Sequence, residues 1–337
     1  MFIVLGESIM IKYKLHLKAP LYIVVLALLA SSLSLFTTAS YAKEHTSWPK
    51  EITVGYQKSG SLIILKATGE LEKRLEKYGV KVNWAEFQFG PPMLEALNAG
   101  KLDLGIVGET PPVIAQAAQG SSIVYVANEP ASPKGQGLLI EKDSTIKDIA
   151  ELKGKKVAVA KGSSSHYFLV QALAQAGLTL NDIQPTYLAP AEAKAALTQG
   201  DVAAWAIWDY HYALAELQAS ARLLVDGTGI VNNYYFYISR RDFVNEYPNV
   251  LKEVLAEIDK TDKWEQANPI SAAEAISKTS GVDAKVFERA FIRRSGYGVQ
   301  TISPLVIAAQ QKLADTFYNL GLIPKAIVVK DAVWQPK

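Results

Sequence analysis

The chain has 337 residues, with 35 Lys and Arg against 33 Asp and Glu and a formal charge of +2. Hydrophobic residues make up 49% and charged residues 20%, which supplies a packed core, excludes disorder as the main state and favours two domains over one. Near-neutral charge gives no electrostatic case for nucleic acid. The absence of cysteine excludes disulfides, thiolate nucleophiles and thiolate zinc sites.

The first predicted element is a secretion signal. Lys12, Lys14 and Lys18 precede an apolar run from about Leu21 to Phe36, and Ala39-Ser40-Tyr41-Ala42 follows. Small side chains at Ser40 and Ala42 suit a signal peptidase, so residues 1–42 are expected to be cut away after Ala42. The apolar run is shorter than the roughly twenty residues that span a bilayer, and no stop-transfer charges follow it. Met10 makes a more usual start than Met1. Removing the signal takes three lysines and one glutamate and brings the formal charge from +2 to zero. The mature chain is expected to be soluble and outside the inner membrane.

From Glu51 strands and helices alternate. Ile52–Tyr56 reads as a strand, and a helix carrying Leu62, Leu65, Leu71 and Leu75 on one face follows it. Residues 80–86 form a second strand. Pro91-Pro92 opens a helix that stops at Gly100. Asp103–Val107 is a third strand, and Thr110-Pro111-Pro112 starts another helix. Ile123–Ala127 and Gly137–Glu141 are further strands. The rhythm restarts with a strand at Lys156–Ala160, a helix through about Ala176, and strands at 184–188, 202–207 and 222–225. This alternation predicts α/β architecture with largely parallel sheets. From Arg241 the chain turns helical. Phe243, Tyr247, Val250, Leu251, Val254, Leu255 and Ile258 recur at helical spacing, and so do Leu305, Ala309, Leu313, Phe317 and Leu320. Glycine and asparagine at 135–137 and 232–233 mark crossings between domains near 136–142 and 231–237.

Three turns from strand end to helix start are candidate binding elements, since helix N-termini expose unpaired N–H groups that suit anions. The first is Gly55-Tyr56-Gln57-Lys58-Ser59-Gly60-Ser61, where Gln57 and Ser59 are donors. The second is Gly108-Glu109-Thr110-Pro111-Pro112, with Thr110 as N-cap and Pro111 at the first helical position. The third is Lys161-Gly162-Ser163-Ser164-Ser165-His166, where Gly162 permits close approach and three hydroxyls surround the oxygens of one anion. Its spacing is wrong for a nucleotide-phosphate loop. A fourth element, Asp201–Asp209, ends in Trp205, Trp208 and Asp209. Either an indole packs on a ligand and Asp209 positions donors, or both tryptophans are core and Asp209 caps the next helix.

Catalysis is poorly supported. No histidine pair has metal-ligand spacing, Ser165 and His166 are too close in sequence to form a nucleophile–base pair, and no nucleophile elbow occurs. His166 reads as a packing residue. Arg240-Arg241 and Arg293-Arg294 read as solvated faces.

At Gly55–Gly60, Glu95–Asp103, Gly108–Pro112, Lys161–Ser165, Asp201–Asp209 and Arg294–Gly298 the chain resembles the periplasmic solute-binding proteins of ABC importers for aliphatic sulfonates. These belong to a wider group that takes up taurine, nitrate and thiamine precursors. The resemblance covers essentially residues 50–330. It implies a periplasmic-binding-protein-like type II fold, with two α/β lobes joined by two crossing strands around a ligand cleft. Lobe 1 would hold 43–138 and 236–337, and lobe 2 would hold 139–235. It further implies that Gln57, Ser59, Glu109, Thr110, Ser163, Ser164 and Ser165 face the cleft opposite Trp205 and Asp209. Tyr56, Gly60, Gly162, His166, Trp208 and Tyr235 have weaker claims.

The implied activity is capture of a sulfonate, alkyl or taurine-like, and its delivery to a membrane permease with its ATPase. No metal, cofactor or nucleic acid is implied, and the default state is a periplasmic monomer. The alternatives are nitrate or a pyrimidine precursor as solute and, more remotely, a secreted enzyme. One departure is Glu109, where the sulfonate receptors are expected to carry Asp. An inward carboxylate there, or at Asp209, would favour a ligand bearing an ammonium group. A carboxylate tied up by backbone N–H groups would leave the tail neutral.

Overall fold

A computed structural model describes residues 48–335. The expected signal segment 1–42, its cleavage point and the choice between Met1 and Met10 lie outside the described residues. Among the described residues no helix is long and apolar enough to cross a membrane.

The first sheet contains β1 (Glu51–Tyr56), β2 (Lys81–Glu86), β3 (Leu104–Gly108), β4 (Ile123–Asn128) and β10 (Tyr235–Arg240), in the order β2-β1-β3-β10-β4. The second contains β5 (Gln136–Glu141), β6 (Lys156–Val159), β7 (Gln184–Tyr187), β8 (Ala204–Trp208) and β9 (Ala221–Asp226), in the order β7-β6-β8-β5-β9. In each sheet one strand runs against its neighbours: β10 against β3 and β4, and β5 against β8 and β9. Each of these is the first strand after the chain arrives from the other sheet. The remaining paired strands are parallel and feed crossover helices, as the alternating pattern requires.

Helices α1 (Ser61–Thr68) and α2 (Glu70–Glu76) replace the single helix expected after β1. Gly69 at φ +67° turns the chain between them, a conformation in which glycine carries no steric cost. Then come α3 (Gly90–Asn98), α4 (Thr110–Ala117), α5 (Ser164–Gln175), α6 (Pro190–Thr198) and α7 (His211–Gln218). The long apolar stripe after Arg241 is also divided. α8 (Arg241–Glu246) stops before Pro248, and α9 (Pro248–Ala267) starts on it, because proline disfavours helical geometry in the residue before it. α10 (Pro269–Ser280), α11 (Ala284–Arg293) and α12 (Pro304–Asn319) complete the set. On α12 the buried stripe is Val306, Gln310, Leu313, Ala314 and Phe317, while Leu305 and Leu320 are exposed. Gln310 is tolerated inside because its amide donates to the Tyr125 hydroxyl at 3.0 Å and to the Glu109 carbonyl.

The chain changes sheets between Asn128 and Gln136 and again between Asp226 and Tyr235. Both passages lie a few residues earlier than composition suggested. They are bonded to each other: Ser132 N donates to Asn232 O at 3.1 Å, and the Asn233 amide donates to Ser132 O at 2.7 Å.

Arg293 and Arg294 are not on a solvated face. Arg294 is only 12% exposed and donates to Glu129 at 3.1 Å, to Asp262 at 3.0 Å, to Ser61 at 3.2 Å and to Glu265. Ser61 also donates to Asp262 and Glu129, and the Tyr237 hydroxyl donates to Glu129 at 2.8 Å. One guanidinium therefore ties α1, α9, β10 and the first passage together. Burial pushes the Glu129 and Glu265 carboxyls up, Glu265 to about 7, against the pull of Arg294. Replacing Arg294 with Met should cost about 3–5 kcal/mol, because it strands buried carboxylates. The folded-state pKa values of Glu129 and Glu265 lie above the ordinary carboxylate value, so their contribution to stability is lost as pH rises. Urea unfolding should therefore show a larger penalty for Arg294→Met at pH 8 than at pH 5.

Candidate functional site

The carboxyl ends of β1, β3, β6 and β8 meet where the two sheets face each other. Three helices start there: α1 after Gly60, α4 after Gly108, and α5 after Gly162. Gly60 and Gly162 both have φ +76°. Gln57, Gly90, Gly108, Pro111, Gln136, Ser163, Ser164, Trp208 and Tyr235 line one slot of about 20 Å³ at this meeting point. The structure thus brings together the three turns singled out from sequence.

The lobes touch across the slot. Ser164 Oγ lies 3.5 Å from Thr110 N, and a Cβ added at Gly108 would fall 2.1 Å from Ser164 Oγ. A Cβ at Gly162 would meet Ile114 Cδ1 at 2.8 Å. Beside these contacts Phe317 of α12 packs edge-on to His166, with ring centroids 5.6 Å apart, and against Tyr167. On the other side α11 reaches α7. Arg293 holds Asp209 through two bonds of 2.7 Å and Glu216 through one of 2.6 Å, while Arg289 adds a bond of 3.1 Å to Glu216.

Each expected site residue has a definite place. Gln57 lines the slot, and its amide donates to Ile106 O at 3.1 Å. Ser59 and Gly60 line an inner chamber next to the slot. Tyr56 is buried, with its hydroxyl donating to Glu86 at 3.1 Å. Thr110 is the first residue of α4 rather than its cap, and its buried hydroxyl is without a partner. The three serines divide their tasks. Ser163 donates to Ala160 O at 2.7 Å, Ser165 donates to Gln136 Oε1 at 2.5 Å, and Ser164 faces the opposite lobe. His166 is fully packed, its Nδ1 accepting from Gly162 N at 3.4 Å, and burial with Lys161 nearby lowers its pKa to about 4.

Both tryptophans belong to one buried cluster of the second lobe. Trp205 is buried among the side chains of its own lobe, beside Ala193 and Leu197 of α6. Trp208 lines the slot. Tyr235, on β10, lines both the slot and the inner chamber.

Neither carboxylate offers a free charge. Glu109 is 3% exposed, and its Oε2 accepts from Tyr234 N at 3.4 Å, on the second passage. Burial pushes its pKa up to about 8, opposed by the N–H groups of Tyr234 and Asn233, so near neutrality the group holds a proton. Asp209 accepts from Ala213 N at 3.1 Å in addition to the two bonds from Arg293. It therefore accepts an N–H from the first turn of α7, whose N-cap is Tyr210, and is anchored to the other lobe as well.

The family model described as NMT1/THI5 like matches residues 76–272, more than half of the chain. The chain belongs to the NMT1/THI5-like family. A relative in Escherichia coli strain K12, named for aliphatic sulfonate binding, is 41% identical over 303 residues, which is 90% of this chain and 94% of that protein. The alkanesulfonate-binding protein SsuA of Xanthomonas axonopodis pv. citri, solved bound to MOPS, superposes with TM-score 0.81 at 38% identity, covering 86% of this chain and all of that one. The periplasmic aliphatic sulphonate binding protein SsuA of Escherichia coli superposes with TM-score 0.79 at 42% identity, covering 86% of this chain and 94% of that one. The expected two-lobed α/β fold is thus the fold of this NMT1/THI5-like chain.

Sequence reasoning missed Gln136, Asn233, Tyr210 and Arg294. Gln136 is fully buried and joins Ser165 to Asn233, receiving one bond and donating one of 2.8 Å. The one sequence hint was its flank of glycines at a lobe crossing, 135–137.

The pKa of Glu109 is raised from 4.5 to about 8, so its contribution to stability is complete below about 4.5 and lost as pH rises through about 8. Glu109→Gln should match wild type near pH 5 and exceed it by roughly 1–3 kcal/mol at pH 9, read by thermal unfolding across that range. Gly108→Ala should hold the lobes apart. Small-angle scattering should show a larger radius of gyration, and adding Ser164→Gly should restore the compact form.

Proposed function

We propose that this protein is an extracytoplasmic solute-binding receptor of an ABC importer that captures an aliphatic sulfonate between its lobes and passes it to a permease with its ATPase. The observation that carries the reading is a slot lined by uncharged residues, with Asp209 held by Arg293 and burial pushing the Glu109 carboxyl up to about 8. A sulfonate has three acceptor oxygens, a permanent charge and no proton to give, so its ideal partner offers donors only. The starts of α1, α4 and α5, the Ser164 hydroxyl and the Gln57 amide are such donors. A phosphate monoester would also want an acceptor for its proton. The names of the relatives support the same solute class.

In this reading Gln57, Thr110, Ser163, Ser164, Trp208 and Tyr235 contact the ligand, and Ser59 and Gly60 border its tail. Ser165, Trp205, Glu109 and Asp209 act by positioning these residues. The lobes are residues up to the passage at 129–135 together with those after 227–234, and the residues between. Binding shifts the lobes toward the closed arrangement because the ligand bridges them. The protein is periplasmic after signal removal, acts as a monomer, and makes or breaks no bond.

A thermal-shift and calorimetry panel tests this with ethanesulfonate, hexanesulfonate, taurine, nitrate and an aminopyrimidine. Alkanesulfonates should stabilise the wild type most, and Ser164→Val should weaken them by at least about tenfold through loss of a charge-assisted bond. Preference for nitrate or the pyrimidine, or turnover of any compound, would overturn the assignment.

A further inference from the structure

The second passage between the sheets carries a residue bonded in three directions. Asn233 is 1% exposed, and its backbone N–H, like that of Tyr234, donates to the Glu109 carboxyl of lobe 1. Its side-chain Nδ2 donates to Ser132 O of the first passage at 2.7 Å, and its Oδ1 accepts from Gln136 Nε2 at 2.8 Å. Gln136 opens β5 and is fully buried, and its Oε1 accepts from Ser165 in the first turn of α5. We infer that Asn233, acting through Gln136 and Glu109, is a positioning residue that sets the slot turns of the two lobes against each other and so determines affinity without touching the ligand. The inference rests on the sulfonate reading for its ligand and adds a residue that the reading did not use.

The bonds have one polarity, and it is imposed at the passages. Ser132 O can only accept, so Asn233 turns Nδ2 to it and leaves Oδ1 for Gln136. Gln136 must then present Nε2 to Asn233, and its Oε1 is left for the Ser165 hydroxyl. A reversed amide would set like groups against each other where no water reaches them. The Ser165 proton is therefore committed to Gln136, as the Ser163 proton is to Ala160 O. Ser164 is the hydroxyl of this turn that faces lobe 1, with its Oγ 3.5 Å from Thr110 N.

The backbone supports the same assignment. Asn233 holds φ +53°, a left-handed conformation that asparagine adopts more readily than most side chains. In it the N–H meets Glu109 of one lobe while the side chain meets Gln136 of the other. Gly135 leaves room for the amide, since a Cβ there would fall 3.3 Å from Asn233 Nδ2. Glu109 directly precedes α4 and Ser165 lies in the first turn of α5, so each end of the chain of bonds reaches a helix start at the slot. Gln136 lines the slot itself, whereas Asn233 borders the inner chamber.

Asn233→Gly is the variant that tests this, because glycine keeps the left-handed backbone and removes only the amide. In amide NMR spectra of the unliganded protein, the signals of Thr110 and Ser164, on opposite lobes, should both shift. Shifts confined to the two passages overturn the inference. Calorimetry should show ethanesulfonate and hexanesulfonate weakened by at least about tenfold, and by the same factor within about threefold, since only the hold on the head changes. A larger loss for hexanesulfonate would make Asn233 a contact for the tail and overturn the inference, as would unchanged affinity for both. Gln136→Met completes a double-mutant cycle. The double variant should bind within about threefold of the weaker single variant, whereas losses that multiply overturn the relay. Ser165→Ala replaces Gln136→Met in the cycle if that variant fails to fold. If wild type binds no sulfonate, the sulfonate reading itself fails, and the spectra of the unliganded protein still decide the role of Asn233.

Discussion

Taking a permanently charged anion out of water requires that its hydration be replaced by donors, without leaving an uncompensated opposite charge behind when the site is empty. A buried free arginine would bind the ligand but destabilise the unliganded protein. Helix N-termini avoid this conflict, because their positive potential comes from peptide dipoles already held by the fold. The turns before α1, α4 and α5 reach one slot through Gln57, Gly108 and Ser163, and no carboxylate lines that slot. Glu109 holds its proton because it is buried, and Asp209 is neutralised by Arg293.

The same residues link binding to the arrangement of the lobes. Asp209 sits at the end of β8 in one lobe, and its arginine partner sits on α11 of the other. Glu109 follows β3 in the first lobe and accepts a bond from the second passage, one residue before Tyr235. Opposite the α7–α11 contact, His166 and Tyr167 meet Phe317. The slot therefore lies between a charged contact and an aromatic one. Closure needs small residues at the point of nearest approach, and Gly108 and Gly162 occupy those positions.

The Arg294 cluster has a different role. It joins α9 and α1 to the first passage through one guanidinium and three carboxylates, and its neighbours on α11 form the wall of the inner chamber.

The repeating order of strand and helix, and the three turns at Gly55–Ser61, Gly108–Pro112 and Lys161–His166, were legible from the amino-acid sequence because each depends on local chemistry: hydrophobic period, glycines at strand ends, proline and hydroxyls near helix starts. Helix breaks at Gly69 and Pro248 are equally local and were passed over beneath a continuous apolar stripe. Other features depend on partners far away in the chain. Trp205 and Trp208 look alike in sequence, and only the placement of β8 against α6 and the slot decides which of the two also lines the slot. Arg293 and Arg294 resemble a solvated pair until carboxylates 84 and 165 positions distant close on them. Sequence left Glu109 either inward-facing or tied up by backbone N–H groups, and burial against the second passage raises its pKa to about 8. Pattern along the chain thus determined the elements and the turns that meet at the slot. Tertiary structure alone decided which charges remain, since ionisation depends on what a group is buried against and not on its neighbours in sequence.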